Sequence, residues 1–303
     1  MDYERIPVTY PTASHPVNVF RVGDTLIDTG HMARSSRAQV SAALAGALDG
    51  VSAVFITHAH TDHIGGSLTM PEVGALPHTV PDGSVSVLRN YTAHVRRART
   101  QIEQLTRGLD WDPTAYFDAV LPLDIDYRGD RVAVDRRVSG GDRLSMEGTE
   151  FDVVSTPGHC IPHLSVHHPD SGTLFSGDTV FSHGQFVWGS LENSIGAYEA
   201  SLRRLRALDP SVLVPSHGTP IENPGQVIAA ALENVEHNKR AILEALSDGE
   251  WKPAHEIAGA VFGVEGEALR HVTLSAGAYL QHLASRDEVR LRQTEQGPTA
   301  KLS

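Results

Sequence analysis

Three imidazoles and a carboxylate crowd into His58-Ala59-His60-Thr61-Asp62-His63, and no other stretch constrains the chain as strongly. The apolar run Val51–Ile56 leads directly into it and reads as a buried strand that ends where the histidines begin. A loop leaving a strand end delivers its side chains to the edge of a sheet. With this spacing His58 and His60 can face one centre while Asp62 and His63 face a neighbouring one. Neutral imidazole and carboxylate together form the donor set of Zn²⁺ and similar divalent cations. Because the chain holds 17 histidines, coincidence has to be weighed. At the chain's own His and Asp frequencies the pattern arises by chance roughly once in a few hundred such chains. A metal site is the stronger reading.

Four further segments, each at the end of an apolar run, complete a pattern in chain order. They are Leu26-Ile27-Asp28-Thr29-Gly30, Thr156-Pro157-Gly158-His159, Ser176-Gly177-Asp178-Thr179 and Pro215-Ser216-His217-Gly218. With the histidine cluster they resemble the metallo-β-lactamase superfamily of binuclear metallohydrolases, over most of the chain. The resemblance implies an α/β fold, an αββα sandwich. It also implies that His58, His60 and His159 hold one metal ion, that Asp62, His63 and His217 hold a second, and that Asp178 bridges them. The cofactors expected are thus two divalent ions, Zn²⁺ first, with Mn²⁺ or Fe²⁺ as alternatives. Coordination lowers the pKa of water from about 15.7 to about 7, so a metal-bridging hydroxide is the expected nucleophile, and no Ser or Cys is needed. Asp62 and Asp178 are the catalytic carboxylates on this reading. Asp28 is a candidate acceptor for the second N–H of a ligand histidine, and a turn-stabilising aspartate is the competing role. His163 follows His159 with Cys160-Ile161-Pro162 between them, a departure from the family pattern, and reads as structural. His183 and Trp188, in the Gly-containing loop after Asp178, are candidates to line a substrate pocket. His15, His78, His94 and His237 have no spacing that recommends them.

Composition narrows the function. At roughly 100–200 residues per domain, 303 residues make one large domain or two. The net charge of −12 argues against a general attraction to nucleic acid or anionic membrane. No apolar run approaches the ~18 residues of a membrane span, and Met1-Asp2-Tyr3-Glu4-Arg5 lacks the basic start of a secretory signal. Cys160 is the single cysteine, which excludes an internal disulfide and a Cys-rich zinc site. A cytoplasmic location is expected.

Residues 1–224 read as the hydrolase domain, interrupted by a helical insertion at about 84–137. In it Leu88, Tyr91, Val95, Ala98, Ile102 and Leu105 recur at steps of three and four, the period of one amphipathic helix, with Gly108 as its stop. Asp112-Pro113 starts a second, shorter helix. Arg96, Arg97, Arg99 and Arg107 lie off the apolar stripe. They are either a solvated helix face or a lid in which Arg96 and Arg99 hold an anionic substrate group. Residues 225–303 read as three helices and a β-hairpin. That winged-helix-like order resembles the small C-terminal domain of the LACTB-like branch of the superfamily. Arg286, Arg290, Arg292 and Lys301 are diluted there by Asp287, Glu288 and Glu295, which favours packing, or a homo-oligomer contact, over nucleic-acid binding.

The function expected is a binuclear metal-dependent hydrolase acting on a small thioester, ester or lactone as its partner molecule. An endoribonuclease or phosphodiesterase of the same superfamily is the alternative. A relict, non-catalytic site is disfavoured because all seven ligand positions carry usable residues.

Overall fold

Short apolar runs punctuated by Gly- and Asp-containing turns favour strands, and in the computed structural model they build two facing sheets. The structure describes residues 1–303 apart from 10–15, 32–33, 124, 126, 129–130, 183–193 and 296. The first sheet holds six strands side by side in chain order: β1 (Glu4–Val8), β2 (Val17–Val22), β3 (Thr25–Ile27), β4 (Ala53–Phe55), β5 (His78–Pro81) and β6 (Val134–Val138). β1 to β3 pair antiparallel, and β3 to β6 pair parallel. Parallel neighbours need crossover connections. These are α1 (Arg34–Ala47) after β3, α2 (Gly65–Thr69) and α3 (Pro71–Gly74) after β4, and α4 (Ser84–Arg89), α5 (Tyr91–Leu105) and α6 (Pro113–Val120) after β5.

The second sheet comprises β7 (Arg143–Met146), β8 (Thr149–Ser155), β9 (Leu164–His168), β10 (Thr173–Gly177) and β11 (Val212–Pro215), in the spatial order β11-β10-β9-β8-β7. α7 (Ile195–Leu208) precedes β11, which runs parallel to β10. Phe20, Ile27 and Phe55 from one sheet meet Phe151, Val166, Phe175 and Val214 from the other in a buried layer. Leu44, Leu68, Leu88 and Val95 pack on the outer face of the first sheet with Leu26 and Val54. Helices therefore cover the outside of both sheets, in line with the sandwich expected.

The chain then adds α8 (Pro224–Ala245), β12 (Lys252–Pro253), α9 (Ala254–Phe262), α10 (Leu269–Ala284), β13 (Val289–Thr294) and β14 (Gly297–Leu302). β12, β14 and β13 form a small antiparallel sheet. Ile228, Val235, Ile257 and Tyr279 of this segment share one buried cluster with Leu174, Tyr198, Leu202 and Leu213 of the sandwich. Among the described residues no helix is long and apolar enough to cross a membrane.

Two sequence expectations need correction here. The expected insertion at 84–137 ends too late, because residues 134–137 belong to β6, paired with β5 in the first sheet. The helical part is a long parallel crossover. The single amphipathic helix is two helices, interrupted at Asn90 (φ −121°, ψ 39°), a residue type whose side chain competes with the helical backbone for hydrogen bonds and so favours helix ends. The stop at Gly108 (φ 92°) and the start at Asp112, which accepts the Thr114 N–H at 2.9 Å ahead of Pro113, agree with the sequence.

Candidate metal centre

β3 ends at Ile27, and Asp28 turns away from it with φ 62°, a left-handed conformation that Asp tolerates better than most residues. The turn buries the Asp28 carboxylate against the next strand end. It accepts the Thr57 N–H at 2.8 Å and the Thr57 hydroxyl at 2.8 Å, and it faces His63 Nδ1 at 2.7 Å. Thr57 Oγ1 lies 3.0 Å from His58 Nδ1. Since the Thr57 proton is given to Asp28, its lone pair accepts from His58 Nδ1–H. This network places the Nδ1 protons: both rings carry a proton at Nδ1 and aim Nε2 inward. The Asp28 position expected from sequence is thus occupied by a carboxylate that orients two histidines.

The inward atoms form two groups. His58 Nε2 and His159 Nε2 lie 3.0 and 2.9 Å from His60 Nδ1. Asp62, His63, Asp178 and His217 form the second group, and in each group the ligand atoms lie within 4.8 Å of one another. His217 Nε2 is 3.2 Å from Asp62 Oδ2 and 3.5 Å from Asp178 Oδ2. Asp178 reaches both groups, with Oδ2 3.4 Å from His159 Nε2 and Oδ1 3.4 Å from His63 Nε2. The seven residues expected as ligands fall into these two groups.

Does this donor set fit a metal? His63 Nε2 and Asp178 Oδ1 are buried and face each other at 3.4 Å without completing a hydrogen bond, and unsatisfied polar atoms in the interior are costly. Burial holds His58, His60 and His159 below the usual imidazole range, reinforced for His58 by His63 and for His159 by His60. They are neutral lone-pair donors. Burial opposes charge on His63 and His217, yet Asp178 and Asp62 outweigh it, raising His63 well above its ordinary value and His217 to about 10. Burial likewise works against the Asp62 and Asp178 anions, but His63 and His217 overcome it and hold both carboxyls down. The carboxylates thus call for positive charge inside the cluster, and converging bare nitrogens call for an acceptor of lone pairs. The set is suited to binding metal ions.

Residues that the sequence passed over support this cluster. His163, read as structural, accepts the Asp178 N–H on Nε2 at 3.1 Å, and its Nδ1 lies 2.8 Å from Thr156 Oγ1. A Cβ on Gly177 would approach His163 Nε2 to 2.7 Å, so a glycine there lets ring and backbone meet. His78, given no role by spacing, is buried with Nδ1 2.6 Å from the Leu76 carbonyl and Nε2 2.9 Å from Ser67 Oγ. Ser67 in turn meets Thr29, whose hydroxyl donates to the His63 carbonyl at 3.0 Å. Between His58 and His60, the Ala59 carbonyl accepts the Tyr91 hydroxyl at 3.2 Å. His94 is pushed down to about 4 by burial and then by His60. His31 is lowered to about 4 by burial, against the pull of Asp62.

For the α5 arginines, left by the sequence as either a solvated face or a lid, the contacts do not support the lid. Arg99 Nε donates to the Leu121 carbonyl at 2.7 Å, its fork lies 3.3 Å from Asp118, and its guanidinium sits 5.0 Å from the Phe117 ring centre. It ties α5 to α6 instead of reaching the cluster. Arg96 is exposed on α5 and takes no part in either ligand group. His183 and Trp188 lie outside the described residues.

Known proteins share this architecture. A metallo-beta-lactamase family protein from Thermus thermophilus superposes with a TM-score of 0.73 at 20% identity, covering 99% of this chain and 98% of its own. A beta-lactamase domain protein from Burkholderia ambifaria does so at 0.71 and 20% identity, covering 99% and 91%. These likenesses concern the fold. In sequence, an atrochrysone carboxyl ACP thioesterase of Aspergillus fumigatus is 32% identical over 108 residues, 36% of this chain and 33% of the relative. A hydroxyacylglutathione hydrolase of Rhodospirillum rubrum is 44% identical over 82 residues, 27% of this chain and 31% of the relative. The chain therefore spans about a third of the length of these relatives. The family model described as metallo-beta-lactamase superfamily matches residues 15–217, the stretch that carries every residue of the cluster, and the chain belongs to that superfamily of hydrolases.

Proposed function

We propose that the chain is a binuclear metal-dependent hydrolase of small thioesters, esters or lactones. The observation that carries this reading is the convergence of two donor groups that share Asp178. His58, His60 and His159 would hold one ion, Asp62, His63 and His217 the other, with Asp178 between them. When bound, two such ions lower the pKa of a water held between them and polarise the acyl oxygen. The chain's own part is positional. Asp28 fixes the His63 ring directly and the His58 ring through Thr57, His163 fixes the Asp178 backbone, and Tyr91 on α5 holds the Ala59 carbonyl. Zn²⁺ is the first candidate because imidazole and carboxylate suit it, with Mn²⁺ and Fe²⁺ as alternatives.

Acyl chemistry is preferred because two of the matched relatives are named as a thioesterase and a hydroxyacylglutathione hydrolase and because the net charge of −12 disfavours polyanions. The test is metal analysis coupled to a panel of thioester, lactone and RNA substrates. Two ions per chain and turnover of a thioester or lactone are expected. Less than one ion per chain with activity intact defeats the binuclear site.

A second reading, a nucleic-acid phosphodiesterase, draws on one observation. Arg292 and Lys301 lie 4.5 and 5.4 Å from the ring centre of Trp251, a basic and aromatic pairing of the kind that holds single strands. We read residues 225–303 as winged-helix-like on their order of elements, and rank packing above nucleic-acid binding. Steeply salt-dependent RNA binding with metal-dependent cleavage reverses this ranking. A reducing, cytoplasmic setting suits a chain with one cysteine.

A further inference from the structure

His217 reaches the cluster from the far sheet, in the segment Pro215-Ser216-His217-Gly218 at the end of β11. The rings of His58 and His63 are set from behind, through Nδ1, by Thr57 and Asp28. His217 is supported differently. Its polar partners among the described residues, Asp62 and Asp178, both face Nε2. The ring is therefore placed by the backbone that carries it.

One residue of the near sheet grips that backbone. Asn18, second in β2, is 1% exposed. Its N–H donates to the Ser216 carbonyl at 2.7 Å. Its Nδ2 donates to the Pro215 carbonyl at 3.3 Å and to the Gly218 carbonyl at 3.0 Å. Val17 beside it forms an antiparallel bridge with His217, and the Ser216 N–H donates to the Gly177 carbonyl at 3.0 Å, next to Asp178. Carbonyls before and after His217 are thus bound to a single residue, and the hold joins the two sheets. The side chain sits among buried Val17, Val19 and Phe20, where an apolar residue would serve packing alone. Asn18 Oδ1 is buried without a partner, an unfavourable arrangement, so the amide contributes through its nitrogen. The reverse orientation would set its oxygen against both carbonyls, which fixes the assignment.

We propose that Asn18 is a positioning residue for His217 and through it sets the affinity for the ion held by Asp62, His63 and His217. The proposal rests on the binuclear reading above and makes the two ions unequal in their support. Asp28 serves both donor groups, whereas Asn18 serves only the second.

The test titrates metal-free wild type, Asn18→Ala and Val19→Ala with Zn²⁺ by calorimetry. Val19 is buried in the same strand, in the cluster of Ile6 and Leu26, and its truncation is the control for lost stability alone. Wild type is expected to bind two ions. Asn18→Ala should keep one at wild-type affinity and bind the other about 10- to 100-fold more weakly, the usual effect of losing an orienting partner. Val19→Ala should lower Tm and leave both affinities unchanged. Equal weakening of both ions, weakening of neither, or the same pattern in Val19→Ala overturns the proposal. Added to His217→Ala, Asn18→Ala should leave the affinity for the remaining ion unchanged, and a further drop shows that it acts elsewhere. Where Asn18→Ala does not fold, Asn18→Ser carries the same comparison. Hydrogen exchange of the metal-free protein separates this proposal from the binuclear reading. Asn18→Ala should speed exchange in residues 212–219 and leave β8 and β9 protected. If wild type binds fewer than two ions, the binuclear reading fails, while that local opening still upholds the role of Asn18. Unchanged exchange, or equal acceleration across the second sheet, removes it.

Discussion

Asp28 shows how one carboxylate sets the protonation of a whole cluster. It takes the Thr57 N–H, the Thr57 hydroxyl and His63 Nδ1–H, so two histidines turn Nε2 inward. Asp28→Asn keeps the size but replaces one acceptor oxygen with a donor. Loss of such an orienting partner typically costs about 10- to 100-fold in metal affinity or activity. A chelator competition series on the purified variant measures it, and unchanged affinity removes Asp28 from the network. His78 offers a pH test. Burial chiefly holds its pKa below the ordinary 6.5, with the Leu76 and Ala133 backbones pulling the other way. A folded pKa below the unfolded one means stability is fully present above about 6.5 and drains away as pH falls below it. His78→Asn should therefore make the acid-side slope of unfolding free energy shallower, by up to about 1.4 kcal/mol per pH unit for one proton. Denaturant titrations between pH 7 and 5 check it, and parallel slopes refute the assignment. At this scale the seven clustered His and Asp residues and Asp28 were legible because metal chemistry demands such donors at strand ends. The partners of His78 and of the structural His163 were not, because a supporting hydrogen bond imposes no spacing on the sequence.

Elements explain why those strand ends meet. β3, β4 and β5 run parallel, so the loops after β3 and β4 leave on one side and bring Asp28 beside Thr57. On the facing sheet, β10 ends at Gly177, whose φ of 53° and approach to His163 leave no room for a side chain. Gly177→Ala should cost about 1–3 kcal/mol of stability. It should also weaken metal binding, since the ring it displaces holds the Asp178 backbone. Thermal unfolding with and without metal reads both effects, and loss of stability alone separates packing from the site. The crossover α4–α6 was legible as helices from its apolar period. Its break at Asn90 and its end at β6 were not. Helical period says which face is buried, while strand β6 carries exposed Asp135, Arg136 and Arg137 at its centre and so lacks an apolar run. The role of the α5 arginines stayed open for a related reason. Sequence puts Arg99 off the apolar stripe but does not reveal that α6 lies across it.

At the scale of the molecule, the boundary at residue 224 that composition marks is not a boundary of the core. Ile228, Val235, Ile257, Tyr279 and Leu283 lie in the cluster that also holds Leu174, Tyr198, Leu205 and Leu213. A polar link crosses the same junction: Lys239 on α8 pairs with Glu199 on α7 at 3.2 Å. Within the C-terminal segment the buried Asn238 amide donates to the Tyr279 hydroxyl at 3.2 Å. On the other flank Leu274 of α10 closes over Ile102 and Phe117. Removing residues 225–303 would uncover the outer face of α7 and the sheet beneath it. At roughly 25 cal/mol per Å² of apolar surface, exposing even ~400 Å² costs about 10 kcal/mol, comparable with the whole stability of a typical domain, about 5–15 kcal/mol. The prediction is that residues 1–224 alone do not fold cooperatively and that the full chain unfolds in a single calorimetric transition. Point variants give the graded version. Tyr279→Ala should destabilise the whole chain by about 3–5 kcal/mol, the cost of emptying a buried aromatic site. It should lower the transition of the sandwich together with that of the C-terminal helices. Two transitions, only one of them shifted by Tyr279→Ala, would instead show the C-terminal segment to be an independent unit lying against the hydrolase.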